Sequence, residues 1–301
     1  MNGRIHYTEC PVCDSKNINP LLTIKDFSVS KEEFVIWQCT NCNLRFTQDV
    51  PDENNIGVYY KSPDYISHTN TDKGFINKTY QKVRNYTLEA KAKLISDETH
   101  LKTGKLLDIG SGTGAFLNVM KNKGWNVKGT EPDEDARRSA KTLYGLDIEE
   151  PSEIDNIQDA SFDAITLWHV LEHVHHLHDY LEHLKRILKP QGKLFIAVPN
   201  YQSRDSGIYR SFWAAYDVPR HLYHFAPKSM ETLIKKHGLK IETKKPMWFD
   251  SFYISMLSSK YRSGKTNYLT AFMNGLRSNV AALFNKERCS SLIYIISKNY
   301  N

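Results

Sequence analysis

The 301-residue chain lacks any apolar run approaching the ~18 residues that argue for a membrane span. Its opening residues, Met1-Asn2-Gly3-Arg4-Ile5-His6, contain no apolar core of a signal peptide, so none is expected and the expected compartment is cytoplasmic. Cysteine is scarce, with five residues, and disulfides are disfavoured in a chain without an export signal. No sign of charge dominates: 40 Lys and Arg against 34 Asp and Glu leave a formal +6. Mean hydropathy is −0.53, with 40% hydrophobic and 25% charged residues, which argues against collagenous, disordered and membrane-spanning classes. A chain of this length buries a substantial core as one large or two unequal domains.

What charge there is falls unevenly. Residues 1–50 carry five Lys and Arg against six Asp and Glu, whereas residues 240–301 carry ten against three. A solvated basic tail accounts for this, and an anionic partner or substrate is the alternative.

Four of the five cysteines form two pairs, Cys10-Pro-Val-Cys13 and Cys39-Thr-Asn-Cys42, separated by 25 residues. Each C-x-x-C turn presents two thiolates to one metal, and two turns complete a tetrahedron. The closed shell leaves no open coordination position, so a structural zinc is expected; two disulfides or four free thiols are the alternatives. Glu33–Gln38 reads as a strand entering the second turn and Asn43–Thr47 as the chain leaving it, the layout of a small zinc ribbon over residues 1–50. So small a module folds on its metal. Cys289 stands alone and reads as an ordinary buried residue.

Residues 51–100 read as a linker. The stretch 51–74, rich in Asp, Asn, Tyr and Ser, reads as an irregular loop; for Tyr59, Tyr60, Tyr65 and His68 plain packing is the expected role of each, and packing over a neighbouring site is the alternative. From about Phe75 to Glu98 an amphipathic helix is expected, with Ile76, Tyr80, Val83, Ala90 and Leu94 on its apolar stripe.

The strongest motif is Leu106-Leu-Asp-Ile-Gly-Ser-Gly-Thr-Gly-Ala-Phe-Leu117, a short apolar strand, a glycine-rich turn and a helix. Gly110, Gly112 and Gly114 permit a tight turn and close approach of backbone to ligand. Glu131, 21 residues after Gly110, is placed to grip two ribose hydroxyls. The same glycines also satisfy the dinucleotide pattern, so the turn alone indicates only a nucleoside-bearing ligand, and a dehydrogenase stays among the readings. Downstream, Ser161–Trp168 reads as a buried strand, Leu177–Leu188 as a helix and Lys193–Val198 as another buried strand. Leu239–Thr243 and Ser291–Ser297 read as two further strands, the last antiparallel, around an insert with helices near 252–260 and 268–284. Strands alternating with helices imply an open, doubly wound α/β sheet.

Together the blocks LLDIGSGTGAFL, GTEPD, FDAITLWHVLEH, LKPQGKLFIAVPN and DVPRHLYHFAPKSMETLIKKHGLKI resemble the class I S-adenosylmethionine-dependent methyltransferases over about residues 75–301. The chain also resembles a subgroup, including some sugar C-methyltransferases, in which a four-cysteine zinc module precedes that domain. The resemblance implies a Rossmann-like, mostly parallel seven-stranded sheet in a methyltransferase domain at 101–301, with a helical insert at about 250–288. It implies S-adenosyl-L-methionine as cofactor, held at Asp108, Gly110, Ser111, Gly112, Gly114, Glu131, Trp168 and His169. Asp147, Glu149, Glu150 and Glu153 crowd the segment where an adenine-side acid is expected, and none is assigned.

Methyl transfer needs alignment of acceptor and methyl group, and a base only where the acceptor loses a proton. Candidate bases are His169, His221 and His224. Tyr201 and Tyr209 would orient the acceptor, and Arg220, with His221, would grip an anionic one. The acceptor expected is a small molecule or a glycan. An RNA methyltransferase using the basic C-terminal region is the nearest rival, although a net-acidic cysteine module argues against RNA contact. A non-catalytic binding module on a vestigial frame is a third reading. His169-Val-Leu-Glu-His173 also matches the H-x-x-E-H zinc-protease pattern, which requires both histidines on one helix face. The cluster His173, His175, His176, His178 and His183 reads as a solvated helix start.

Overall fold

The computed structural model describes residues 3–61 and 75–299, with only the backbone of 75–80. Tyr65 and His68 lie outside the described residues, as do the side chains of Ile76 and Tyr80. Along the chain the strands are β1 (Arg4–Ile5), β2 (Ile18–Lys25), β3 (Glu33–Cys39), β4 (Arg45–Thr47) and β5 (Val50–Pro51). After helix α1 (Phe75–Thr99) come β6 (Lys105–Ile109), α2 (Ala115–Asn122), β7 (Asn126–Thr130), α3 (Glu134–Tyr144) and β8 (Phe162–Trp168). Next are α4 (Leu177–Ile187), β9 (Leu188–Pro199), α5 (Arg204–Tyr209), β10 (Tyr223–His224) and α6 (Pro227–Lys236). The chain closes with β11 (Leu239–Pro246), α7 (Asp250–Ser263), α8 (Tyr268–Phe284) and β12 (Ser291–Lys298).

The main sheet runs β11-β12-β9-β8-β6-β7. Its β9, β8, β6 and β7 are parallel, and β12 lies antiparallel between β9 and β11. Near-continuous apolar runs such as Leu106–Ile109 and Leu194–Val198 are buried on both faces, as helix-covered parallel strands require. Among the described residues this sheet has six strands, one short of the expected seven. The third strand survives only as a one-residue parallel bridge, Thr130 to Glu149. Pro151, two residues on, opens a 3-10 turn, Pro151–Ile154, which ends any extension of pairing.

The expected stripe of α1 is rotated. Ala90 is exposed, while Ala92 and Ile95 are fully buried and Leu88 and Leu94 pack beside them. Counting apolar residues misplaces the stripe because a lysine, Lys91, also sits on the inward side, over the Trp168 ring.

The cysteine module does not stand apart at residue 50. Its sheet runs β10-β4-β3-β2, so β10 from the second half of the chain supplies the outer strand. Tyr223 pairs with Phe46 and His224 with Arg45. Buried Cys10, Leu44 and Phe46 share one continuous apolar core with Leu107, Ile165, Leu194, Ile196 and Val198 of the main sheet.

Candidate active site

β6 ends at Ile109 and the chain turns through residues 110–114 into α2. Gly110 has φ 69°, and a Cβ there would lie 2.6 Å from Cγ2 of Val170. Gly112 has φ 54°, and a Cβ there would meet nothing within 4 Å, so the turn faces open space at that point. The left-handed backbone and the close approach at Gly110 both select glycine. Gly110 and Ser111 donate their N–H groups to the Thr130 carbonyl at 2.8 and 3.0 Å, which fastens the turn to the end of β7. The Ser111 hydroxyl donates to that same carbonyl at 3.0 Å.

Glu131 follows β7 directly. Gly112 N–H donates to its Oε2 at 2.8 Å and Asp133 N–H to its Oε1 at 3.0 Å. Burial pushes this carboxyl up, and the two N–H groups oppose the shift. The result is a carboxylate fixed in orientation at the lip of the glycine turn. Asp108, one residue from the end of β6, is buried and accepts from the Thr166 hydroxyl at 2.5 Å. Burial dominates and pushes it up to about 7, against Thr166 and Lys91.

Trp168 ends β8 with its ring edge-on to Phe116, centroids 5.6 Å apart. Lys91 Nζ lies 4.2 Å from the centroid of that ring, a cation–π contact. Burial pulls Lys91 down, opposed by Asp250 and Asp108. The Trp168 indole N–H is buried and has no partner among the described residues. A buried donor without a partner is unusual in a finished core.

His169 has φ 60°, uncommon for a residue with a side chain. Its Nε2 donates to Asp250 Oδ2 at 2.8 Å, and Nδ1 lies 3.3 Å from Glu172 Oε1. Burial pulls the imidazole down, but Asp250 and Glu172 outweigh it and push it up to about 10. His169 is therefore an imidazolium at neutral pH, which withdraws it as a base in the free protein. Leu171–His173 form a 3-10 turn, not a helix, so the H-x-x-E-H spacing does not put two histidines on one helix face.

A second polar group lies beyond His169. Glu172, His173 and His221 each bring a ligand-type atom within 4.8 Å of the others. His173 Nδ1 lies 3.0 Å from the Arg220 carbonyl and 3.0 Å from the Tyr60 hydroxyl. His221 Nδ1 lies 2.9 Å from the Ala215 carbonyl. Burial, with His221 adjacent, holds His173 down at about 4, so it is neutral at pH 7. Glu172 Oε2 is buried without a partner among the described residues. His173 thus belongs to this buried group and not to a solvated helix start, and His178 bonds His237 at 2.8 Å.

The other acceptor-side candidates serve elsewhere. Arg220 is buried and gives its guanidinium to Asp26 at 3.0 Å, Asp217 at 2.6 Å and the Tyr59 carbonyl at 2.8 Å. With those donors committed, it does not offer a free grip on an anion. Instead it clamps the cysteine module to the loop at 217–221. His224 is buried in β10, its Nε2 3.2 Å from the Thr47 hydroxyl, and burial holds it well below the usual imidazole range. The Tyr201 hydroxyl donates to the Asn43 carbonyl at 2.6 Å, and Arg45 covers its ring at 3.9 Å. The Tyr209 hydroxyl accepts from Asn274 at 3.0 Å. These side chains are packed into the fold.

The four paired cysteines converge. Cys10 and Cys42 have Sγ atoms 3.5 Å apart, Cys13 and Cys39 3.6 Å, and all four lie within 4.8 Å of one another. No disulfide joins any of them. Asp14 and Asn43 follow the two pairs with φ 57° and 64°, and their N–H groups close matching turns onto Cys10 and Cys39. Cys289 is buried, as expected.

Lys91 and Asp250 were invisible to motif reading. One lies ahead of the glycine motif and the other in the insert, and neither sits at a recognisable spacing; a lysine on the inward face of an amphipathic helix was the available signal.

The family model described as a methyltransferase domain matches residues 80–244, more than half of the chain. The human mitochondrial ubiquinone biosynthesis O-methyltransferase is 27% identical over 171 residues, covering 49% of this chain and 44% of that protein. The enzyme of the same name from Nitrosococcus oceani is 28% identical over 195 residues, covering 58% of this chain and 79% of its own. The chain spans about half the length of the mammalian relatives it matches. A solved SAM-dependent methyltransferase from Archaeoglobus fulgidus has a TM-score of 0.46 and 18% identity over 70% of this chain and 94% of that one. The family match runs from within α1 to β11 and takes in the glycine turn together with every parallel strand end around it: the chain belongs to the class I S-adenosylmethionine-dependent methyltransferases.

Proposed function

We propose that the chain transfers a methyl group from S-adenosyl-L-methionine to a small-molecule acceptor, a glycan or sugar included. The observation that carries this reading is Glu131, its two oxygens held by Gly112 and Asp133 beside the open side of the glycine turn. A carboxylate so oriented accepts from two vicinal hydroxyls without reorganising. When bound, the sulfonium supplies an activated methyl and its own leaving group. Asp108, Gly110, Ser111, Gly112, Gly114 and Glu131 would hold the cofactor, with the unpartnered Trp168 indole N–H available to it.

The protein's remaining work is alignment and proton handling. Imidazolium His169 is held between the Asp250 and Glu172 carboxylates, which fixes its ring beside the strand end. An acceptor hydroxyl set against Tyr60 would face neutral His173 and its neighbour His221, which we assign as hydrogen-bonding groups that orient it. The relatives named for ubiquinone biosynthesis O-methyl transfer support a small-molecule acceptor. The four cysteines would hold a structural zinc: a Zn–S distance of about 2.3 Å in a tetrahedron places sulfurs about 3.8 Å apart, close to the two spacings seen.

Calorimetric titration with S-adenosylhomocysteine, with NADH as control, tests the reading. Binding of the first and not the second is expected. Binding of NADH alone would reassign the glycine turn to a dinucleotide.

A further inference from the structure

The helical insert is amphipathic in the inverted sense. Along α8 the buried positions are small or polar: Ala271, Asn274, Gly275, Ser278 and Ala282. The outward positions are large and apolar: Leu269, Phe272, Met273, Leu276, Val280 and Leu283, from 39% to 75% exposed. At about 100° per residue these six fall within one stripe roughly 100° wide. The preceding helix likewise buries small polar residues, Ser251, Ser255, Ser258 and Ser259, together with Ile254. Small residues let the two helices approach closely, since a Cβ on Gly275 would lie 2.7 Å from Phe252 Cδ1. Single exposed leucines need no explanation, but a continuous stripe of this kind marks an interaction surface.

Cations bracket the stripe. Arg262 and Lys265 precede α8, and Lys286 and Arg288 follow it; all four are exposed, and none forms an ion pair among the described residues. Between 260 and 288 the single acid is Glu287, and it is bonded to Lys244. A two-fold contact between copies with antiparallel α8 helices would set the cations of one against those of the other. An anionic surface meets both ends favourably.

We propose that this face docks on an anionic lipid bilayer, with α8 lying in the plane of the interface, its stripe among the acyl chains and the four cations at the phosphates. No helix among the described residues is long and apolar enough to cross a membrane, and the polar inner face of α8 fits a peripheral position. The docking surface gives a role to four of the ten Lys and Arg residues of 240–301 without nucleic acid. It stands apart from the methyl-transfer reading, and its test does not use activity.

The full chain is floated with phosphatidylglycerol–phosphatidylethanolamine vesicles and, in parallel, with pure phosphatidylcholine vesicles. Flotation with the anionic vesicles only, lost at high salt, is expected. Phe272→Glu with Leu276→Glu should abolish it, and Lys286→Glu with Arg288→Glu should weaken it about tenfold or more. Unchanged melting temperature in both variants shows that the fold is intact. Absence of wild-type flotation, or flotation indifferent to both variants, overturns the proposal. So does a dimer in light scattering that the Phe272/Leu276 variant splits, which would give the face to a second copy.

Discussion

His169 and Asp250 meet with Nε2 and Oδ2 2.8 Å apart, joining the end of β8 to the first turn of α7 across 81 residues of sequence. The pair ties the helical insert to the glycine-turn end of the sheet. Its pH behaviour follows from the shift of His169 to about 10. The folded value lies above the unfolded value of about 6.5, so this histidine's stabilisation is complete below about 6.5 and is lost as pH rises through about 10. In NMR titrations the wild-type imidazole should stay protonated past neutrality and Asp250→Asn should bring its midpoint down. A wild-type midpoint near the ordinary histidine value would sink the assignment.

Glu131→Ala should weaken S-adenosylhomocysteine binding about 10- to 100-fold, the cost of about 1.5–3 kcal/mol for hydrogen bonds to a charged group. Calorimetry reads this directly. Equal affinity in the two proteins would remove Glu131 from the ribose contact.

Arg220→Ala leaves Asp26 buried without its cation, and a loss of about 3–5 kcal/mol in denaturant unfolding is expected. If stability were unchanged and only the acceptor KM rose, Arg220 would be an acceptor ligand after all.

Elemental analysis is expected to find one zinc per wild-type chain and none in Cys10→Ser with Cys13→Ser. Because β10 pairs with β4, limited proteolysis of that variant should open cuts near residues 217–224 as well as within the module. Undiminished metal content would contradict a four-thiolate site.

Much of this site was legible because its signals are local. The glycine turn, Glu131 and both C-x-x-C pairs are fixed by spacings of a few to about twenty residues, within which backbone geometry leaves little freedom. The helices of the insert were legible for the same reason, from periodicity. Lys91, Asp250 and the clamp of Arg220 on Asp26 were not, because they arise from contacts between distant segments. Arg220 illustrates the difficulty. An arginine beside a histidine motif looks like an anion grip, and only the arrival of Asp26, 194 residues away, shows it to be spoken for. The shortened third strand was likewise hidden, since an acid-rich stretch at 147–153 does not reveal where pairing stops.

The strand at 223–224 also determines how the molecule can be divided. A chain beginning after residue 50 would keep β10 but leave its hydrogen-bonding edge bare, beside buried Tyr223 and Phe225 now facing water. Unprotected edges of this kind recruit other chains. The four-cysteine segment and the methyltransferase sheet should therefore be inherited, expressed and lost together, as one unit whose halves lack separate solubility.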